Sequence, residues 1–466
     1  MINTKFNLKE VLKISDRKNK SVYDLQTNLK KLGFDPGESD GYYGYLTREA
    51  VKELQLSYGL RVDGIAGNQV FGLLSEKPIG CRNTVVGKRG ASIKKIADEN
   101  LTTVDALVAA NGNKNCAAFF CENRLKVYKR MLINIPDTKL YRNCSNEEVR
   151  LESNKSENNI CKCTMTTKTI FRISNEGEIK KTEYSEHSTN NFDVMAVIST
   201  RKDDSLFSTS PLSEGMMIFL KNFFKKSDEV LKYIFKTVKE IKAKAILIDI
   251  AEINPYYNGK FIKFFACLKK ECLKENILCG LTIDFKCYQK NIFPYDIFTL
   301  SKMSDFILMQ YEPIEKSLSC SKKLSCVEEK NMNLQYQINR PLGKEDFRSW
   351  LSLLCSQIPR WKLIITMFVG CFKLEDEKMY YMTHNEVTSL QSRYFLKESK
   401  DATSKYDFYR YKDNGKWEKI WKESKESLSD KLYFINRYNV LGVALLGYEG
   451  REKNIISEIE KKFIII

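Results

Sequence analysis

Carboxylates closing apolar runs are the groups in this sequence best suited to acid–base chemistry. Asp249 and Glu252 close AILIDIAE, and Tyr311 with Glu312 closes FILMQYE. Side chains two apart on a strand share a face, and those three apart do not. Asp249 therefore shares a face with Ala251, while Glu252 falls on the other face of a regular strand. A bulge at Ile250-Ala251 would turn Glu252 back to the side of Asp249. Asp284 ends another apolar run and suits either an inward position or a helix cap. Trp417 and Trp421, four apart, are expected on one helix as packing residues. With His187 and His384 the only histidines and no C-x-x-C among 14 cysteines, no zinc site is expected. Cys267 and Cys279 read as core residues; Cys161, Cys163, Cys320 and Cys326 sit in polar segments open to cross-linking. P-loop, G-x-G-x-x-G, nucleophile-elbow and H-E-x-x-H patterns are absent, so no cofactor is expected.

These residues need a scaffold, and 466 residues suffice for roughly three domains. Hydrophobic residues at 43% and aromatics at 12% are globular values. No apolar run reaches the ~20 residues of a membrane span, and MINTKFNLKEVLKISDRKNK contains no signal-peptide core. A chain made in the cytoplasm is expected. Lys and Arg number 76 against 59 Asp and Glu, a net charge of +17. That balance favours a polyanionic partner, although a solvated lysine-rich surface would give the same count. The positive charge is scattered and carries no nucleic-acid motif, so nucleic acid is not the expected partner.

Near the N-terminus, Asp40-Gly41-Tyr42-Tyr43-Gly44 recurs as Asp63-Gly64-Ile65-Ala66-Gly67. Each copy follows a helical apolar pattern, Val22, Leu25, Leu29 and Leu32, then Ala50, Val51, Leu54, Leu56 and Leu60. Gly33 and Gly59 suit helix C-termini, and Thr47 suits the cap of the second helix. A compact three-helix unit over 20–76 is expected. The pattern LQ-x2-L-x2-LGF…DGYYG-x2-T-x2-AV-x2-LQ-x3-GL-x2-DGIAG resembles the peptidoglycan-binding domain type 1 family. Residues 83–129 follow in a β-α-α-β order: Thr84-Val85-Val86, a helix through Ile93, Ile96 and Ala97, a second through Val104, Leu107 and Ala110, and Arg124–Val127. This order resembles a LysM domain, whose glycan groove would fall at Gly90, Ser92, Asn111, Glu122 and Asn123. Two groove loops depart from the usual LysM turns, as Gly90-Ala91-Ser92 and Cys121-Glu122-Asn123, which implies reduced glycan affinity.

Beyond the polar stretch 143–159, apolar runs at 192–199, 245–250, 277–283, 306–309, 363–368 and 440–446 alternate with helical stretches at 213–242, 258–275, 343–358 and 426–438. Strands buried on both faces and separated by helices imply an α/β fold with a parallel sheet, and 131–466 is long enough for a (β/α)8 TIM barrel. The first strand is not visible as an apolar run. AILIDIAEINPYYNGKFIKFF, SDFILMQYEP, IPRWKLIITMFVGCF and NVLGVALLGYEGRE together resemble family 18 glycoside hydrolases, in particular the spore cortex-lytic branch with N-terminal LysM domains.

That resemblance implies that the substrate's N-acetyl group attacks the anomeric carbon, an exception to the two-carboxylate scheme. Asp249 would hold the acetamido group, Tyr311 and Glu312 would contact the sugar, and the acid two residues after Asp249 would be Ala251. A methyl group donates no proton. Phe261 and Phe264 fall where the family places aromatics on the next helix, and Leu446 replaces its sugar-stacking Trp. The expected function is binding of peptidoglycan or another N-acetylglucosamine polymer at the cell wall or spore cortex and coat, with spore-layer proteins as further partners and an impaired barrel. The alternative is an active peptidoglycan N-acetylglucosaminidase using Asp249 and Glu252.

Overall fold

The computed structural model describes residues 10–31, 34–57, 60–76, 82–86, 92–99, 104, 124–135, 165–173, 179–181, 193–199, 221, 223–249, 257–283, 297–311, 341, 343–375, 378–382, 384–438, 440–448 and 453–465. The N-terminal unit contains α1 (Lys20–Lys31), α2 (Tyr45–Ser57) and α3 (Asn68–Glu76). Leu25, Leu29, Phe34, Tyr43, Val51, Leu54, Val70 and Phe71 form its buried core. Asn19 opens α1 by accepting the Ser21 amide at 2.7 Å, a side-chain N-cap.

The sequence repeat is also a repeat of hydrogen bonds. Gln26 Nε2 donates to Asp40 Oδ1 and the Tyr42 carbonyl, each at 3.0 Å, and Gln26 Oε1 accepts the Gly41 amide at 2.9 Å. Gln55 does the same for the second copy, donating to Asp63 Oδ1 at 2.8 Å and the Ile65 carbonyl at 3.0 Å, and accepting the Gly64 amide at 2.8 Å. Gly41 and Gly64 have φ of 83° and 71°, the left-handed region that glycine enters without a Cβ clash. The Gln26 bond holds the Asp40 carboxyl below its ordinary value. Tyr43 ties the copies together by donating to the Gly64 carbonyl at 3.0 Å. Thr47 does not cap α2, which begins two residues earlier; its buried hydroxyl instead accepts Gln26 Nε2 at 3.0 Å. Replacing Gln55 with Ala removes the acceptor of a buried amide and should destabilise this unit by about 1–3 kcal/mol. Hydrogen exchange checks this: the Gly64 amide should exchange faster in Gln55→Ala, and the Gly41 amide in Gln26→Ala.

Next come β1 (Arg82–Val86), α4 (Ile93–Glu99) and β2 (Arg124–Ile135). β1 pairs antiparallel with the first part of β2, from Arg82↔Tyr128 to Val86↔Arg124. Ile96 and Ala97 are buried on α4. Of the expected second helix, Val104 alone is described. β2 does not stop at the end of this unit: its second half, Met131–Ile135, pairs with the barrel on both sides.

Eight parallel strands close the barrel: β2, β3 (Met165–Ile173), β5 (Asp193–Ser199), β6 (Ala245–Asp249), β7 (Leu278–Ile283), β8 (Phe306–Tyr311), β9 (Leu363–Phe368) and β15 (Gly442–Leu446). The short β4 (Ile179–Lys181) folds back on β3. Closure is by β2–β3 and β15–β2 pairing, as in Ile133↔Met165 and Gly442↔Met131. The helix layer includes α5 (Ser227–Glu240), α6 (Asn258–Lys274), α7 (Ile297–Met303), α8 (Lys344–Gln357), α10 (Lys425–Tyr438) and α11 (Lys453–Lys462), and β16 (Ile464–Ile465) joins β2. Strand side chains alternate between two cores. Ala245, Leu247, Phe306, Leu308, Ile364 and Ala444 fill the interior; Ile246, Ile248, Ile307, Met309, Ile365 and Val443 meet the helices. Gly280 leaves space for the Phe306 ring, which a Cβ there would meet at 2.2 Å.

Between β9 and α10 an antiparallel sheet is inserted: β10 (Cys371–Glu375), β11 (Lys378–Met382), β12 (Lys397–Lys400), β13 (Asp407–Asp413) and β14 (Lys416–Lys422), with α9 (His384–Arg393) against it. Trp417 and Trp421 lie on β14, which corrects the helix expected there; sequence spacing of four is also compatible with one face of a strand. Among the described residues no helix is long and apolar enough to cross a membrane.

Candidate glycan site at the barrel mouth

Asp249 ends β6 in the register of Ala245 and Leu247, both interior residues, so its carboxylate faces the barrel lumen. It is 0% exposed. Thr282, on the adjacent β7, donates its hydroxyl to Asp249 Oδ1 at 2.5 Å. Thr366 on β9 follows the interior residue Ile364, and its hydroxyl is buried without a hydrogen-bond partner among the described residues. Among the described side chains, the lumen end of these strands thus offers a carboxylate and two hydroxyls. Leu446 and Phe368, paired in register, supply part of its lining.

Tyr311 is not brought to Asp249. It follows Ile307 and Met309 on the outward face of β8 and packs edge-on against Phe347 at 4.8 Å and Trp350 at 4.9 Å, both on α8. Burial pushes its phenol well above the ordinary value, and its hydroxyl has no hydrogen-bond partner among the described residues. The cause is pleat parity: the inward series on β8 runs through Phe306 and Leu308. A sugar-contacting role for Tyr311 is therefore corrected to a packing one.

A polar centre that the sequence did not single out lies beside Tyr311. The Lys431 ammonium, 3% exposed, forms an ion pair with Glu423 and donates to the Tyr406 hydroxyl at 2.6 Å. It also lies 5.4 Å from the centroid of the Tyr311 ring. Burial lowers its pKa, the Glu423 charge opposing that shift. The pair joins the inserted sheet to α10 and the barrel.

Phe261 and Phe264 are buried on α6, against the helix side of the barrel. Ser92 is exposed, and its hydroxyl accepts the Lys95 amide at 3.2 Å at the start of α4. Cys279 is buried as expected, whereas Cys267 is exposed. Gly33, Gly59, Gly90, Asn111, Glu122, Asn123, Ala251, Glu252, Asp284 and Glu312 lie outside the described residues, as do Cys161, Cys163, Cys320 and Cys326.

No curated protein matches the chain by sequence. Residues 18–74 match the family model described as "Putative peptidoglycan binding domain". Among solved structures, the spore cortex-lytic enzyme SleL of Bacillus megaterium QM B1551 is similar with TM-score 0.54 and 18% identity, over 82% of this chain and 87% of that one. SleL of Bacillus cereus gives 0.53 and 14%, over 98% and 99%. A class V chitinase of Pseudomonas fluorescens Pf-5 gives 0.53 and 11%, over 72% and 99%. The chain therefore places a segment matching the peptidoglycan-binding family ahead of a (β/α)8 barrel whose fold is that of these cortex-lytic and chitinase structures.

Proposed function

We propose that this protein binds peptidoglycan at the cell wall or spore cortex, and that its barrel holds an N-acetylglucosamine-containing glycan while cleaving it poorly or not at all. The match at residues 18–74 carries the binding part. Barrel impairment rests on Ala251, two residues after the inward-facing Asp249, where a proton donor is needed. Leu446 adds to it by contributing no flat aromatic face at the lumen end. A LysM-like unit between the two would be a further contact to the glycan, with spore-layer proteins as additional partners. Co-sedimentation with purified cortex peptidoglycan tests the reading. The chain is expected in the pellet at low salt, and a chain left in the supernatant refutes it.

Asp249 favours a second reading, an active glycosidase. It faces the lumen and is held by Thr282, the arrangement an acetamido-stabilising carboxylate requires. Under this reading Glu252 is the acid. Reducing ends released by the unmodified chain and lost in Glu252→Gln would establish it.

A further inference from the structure

The inserted sheet has two unlike faces. Cross-strand partners share a face, so Phe408↔Trp421, Arg410↔Lys419, Lys412↔Trp417 and Lys397↔Arg410 place all of these on one side. The other side, through Tyr411 and Ile420, packs with Val387 of α9. At one end of the first side, Phe372 and Trp421 are buried in the cluster that fills the barrel interior. At the other end the face is open: Lys397, Arg410, Lys412 and Lys419 are exposed, and Trp417 is 55% exposed.

The cations on this face are organised by its aromatic rings. The Arg410 guanidinium lies over Trp417 at 4.1 Å, and the Lys419 ammonium is 5.1 Å from the Phe408 ring and 5.2 Å from that of Trp421. Among the described residues none of the four cations forms an ion pair with a carboxylate. On the opposite side, by contrast, Lys400 pairs with Asp407 and Glu426, and Lys416 with Glu418. Neighbouring positions on paired strands are about 5–7 Å apart, so the four charges repel one another and an anion laid across them relieves that repulsion.

We propose that this open basic face binds an acidic glycan, with its carboxylates on Lys397, Arg410, Lys412 and Lys419 and a sugar ring against Trp417. The occupant is argued from charge complementarity and from continuity: Trp421 and Phe372 share a cluster with Phe368 and Leu446, so the face leads to the lumen end of the barrel. It rests on the peptidoglycan-binding reading, because the stem peptides of that polymer, and any muramic acid without one, bear carboxylates. The face would then select charged strands over neutral ones.

The test compares the full chain with Arg410→Gln/Lys412→Gln/Lys419→Gln and with the control Lys400→Gln/Lys416→Gln. Soluble peptidoglycan strands are used with free carboxylates and after amidation. The triple variant should bind the acidic strands about tenfold or more weakly at low salt. This difference should vanish near ~1 M salt, where the Debye length is ~3 Å, and the control should bind like the unmodified chain. Equal binding of the triple variant and the unmodified chain to acidic strands overturns the proposal. So does tighter binding of single-stranded RNA or anionic vesicles that is lost in the triple variant. An unmodified chain that holds amidated and acidic strands equally refutes the basic face and leaves the N-terminal reading standing. Acidic strands bound through the triple's residues, with amidated strands not bound at all, support the face and count against the N-terminal domain.

Discussion

Ala251→Glu should raise the rate of reducing-end release from cortex-type glycan by on the order of 10²–10⁴, the range a positioned general acid contributes. The argument is one of parity. Asp249 faces the barrel lumen in line with Ala245 and Leu247, and a side chain two residues on emerges on the same face where the pleat continues. A carboxyl there would join Asp249 at the same sugar linkage, one group stabilising the acetamido attack and the other protonating the leaving oxygen. The gain should disappear in Ala251→Glu/Asp249→Asn, because the acid without its partner has no stabilised nucleophile to work with. Adding Leu446→Trp should further raise activity by supplying a stacking surface. Single-turnover hydrolysis of a labelled glycan measures all three variants. No gain in any of them would show that the lumen does not seat a sugar. High activity in the unmodified chain would transfer the acid's role to Glu252.

Lys431→Met should destabilise the barrel by about 3–5 kcal/mol, the cost of leaving one member of a buried ion pair alone. Glu423 is 3% exposed, one of its carboxylate oxygens has no hydrogen-bond partner among the described residues, and the other is paired with Lys431. Removing the ammonium also takes the proton that Tyr406 accepts. The double variant Lys431→Met/Glu423→Leu should recover most of the loss, since replacing both charges by apolar groups is close to neutral. Denaturant unfolding followed by tryptophan fluorescence is suited to this measurement. All four tryptophans lie at 350, 361, 417 and 421, so the signal comes from the barrel and its inserted sheet. A single variant as stable as the unmodified chain would show that the pair is dispensable.

The six apolar runs read from sequence correspond to β5, β6, β7, β8, β9 and β15. They were legible because strands buried on both faces must be apolar throughout. Two barrel strands escaped. Met131–Ile135 is the end of a longer strand whose first half serves the preceding unit, so no turn residue marks where it begins. Met165–Ile173 reads MTTKTIFRI, in which four consecutive polar residues, Thr166 to Thr169, leave no apolar run to recognise. The inserted sheet escaped as well, being an antiparallel layer with one open, charged face whose pattern resembles that of an exposed helix or loop.

By itself the sequence determined the paired Gln and Asp-Gly elements of the N-terminal unit, the alternation of strand and helix, and the absence of a proton donor at 251. These are local properties: a repeat, a period and a residue type are set by neighbours along the chain. Tertiary structure alone decided that Asp249 faces the lumen while Tyr311 faces the helices, that Lys431 meets Glu423 and Tyr406, and that four cations share one open face. Each of these depends on which side of a strand a residue leaves and on what another strand or helix brings opposite it. Strand parity reverses with a shift of one residue, and long-range partners leave no mark in the order of the residues.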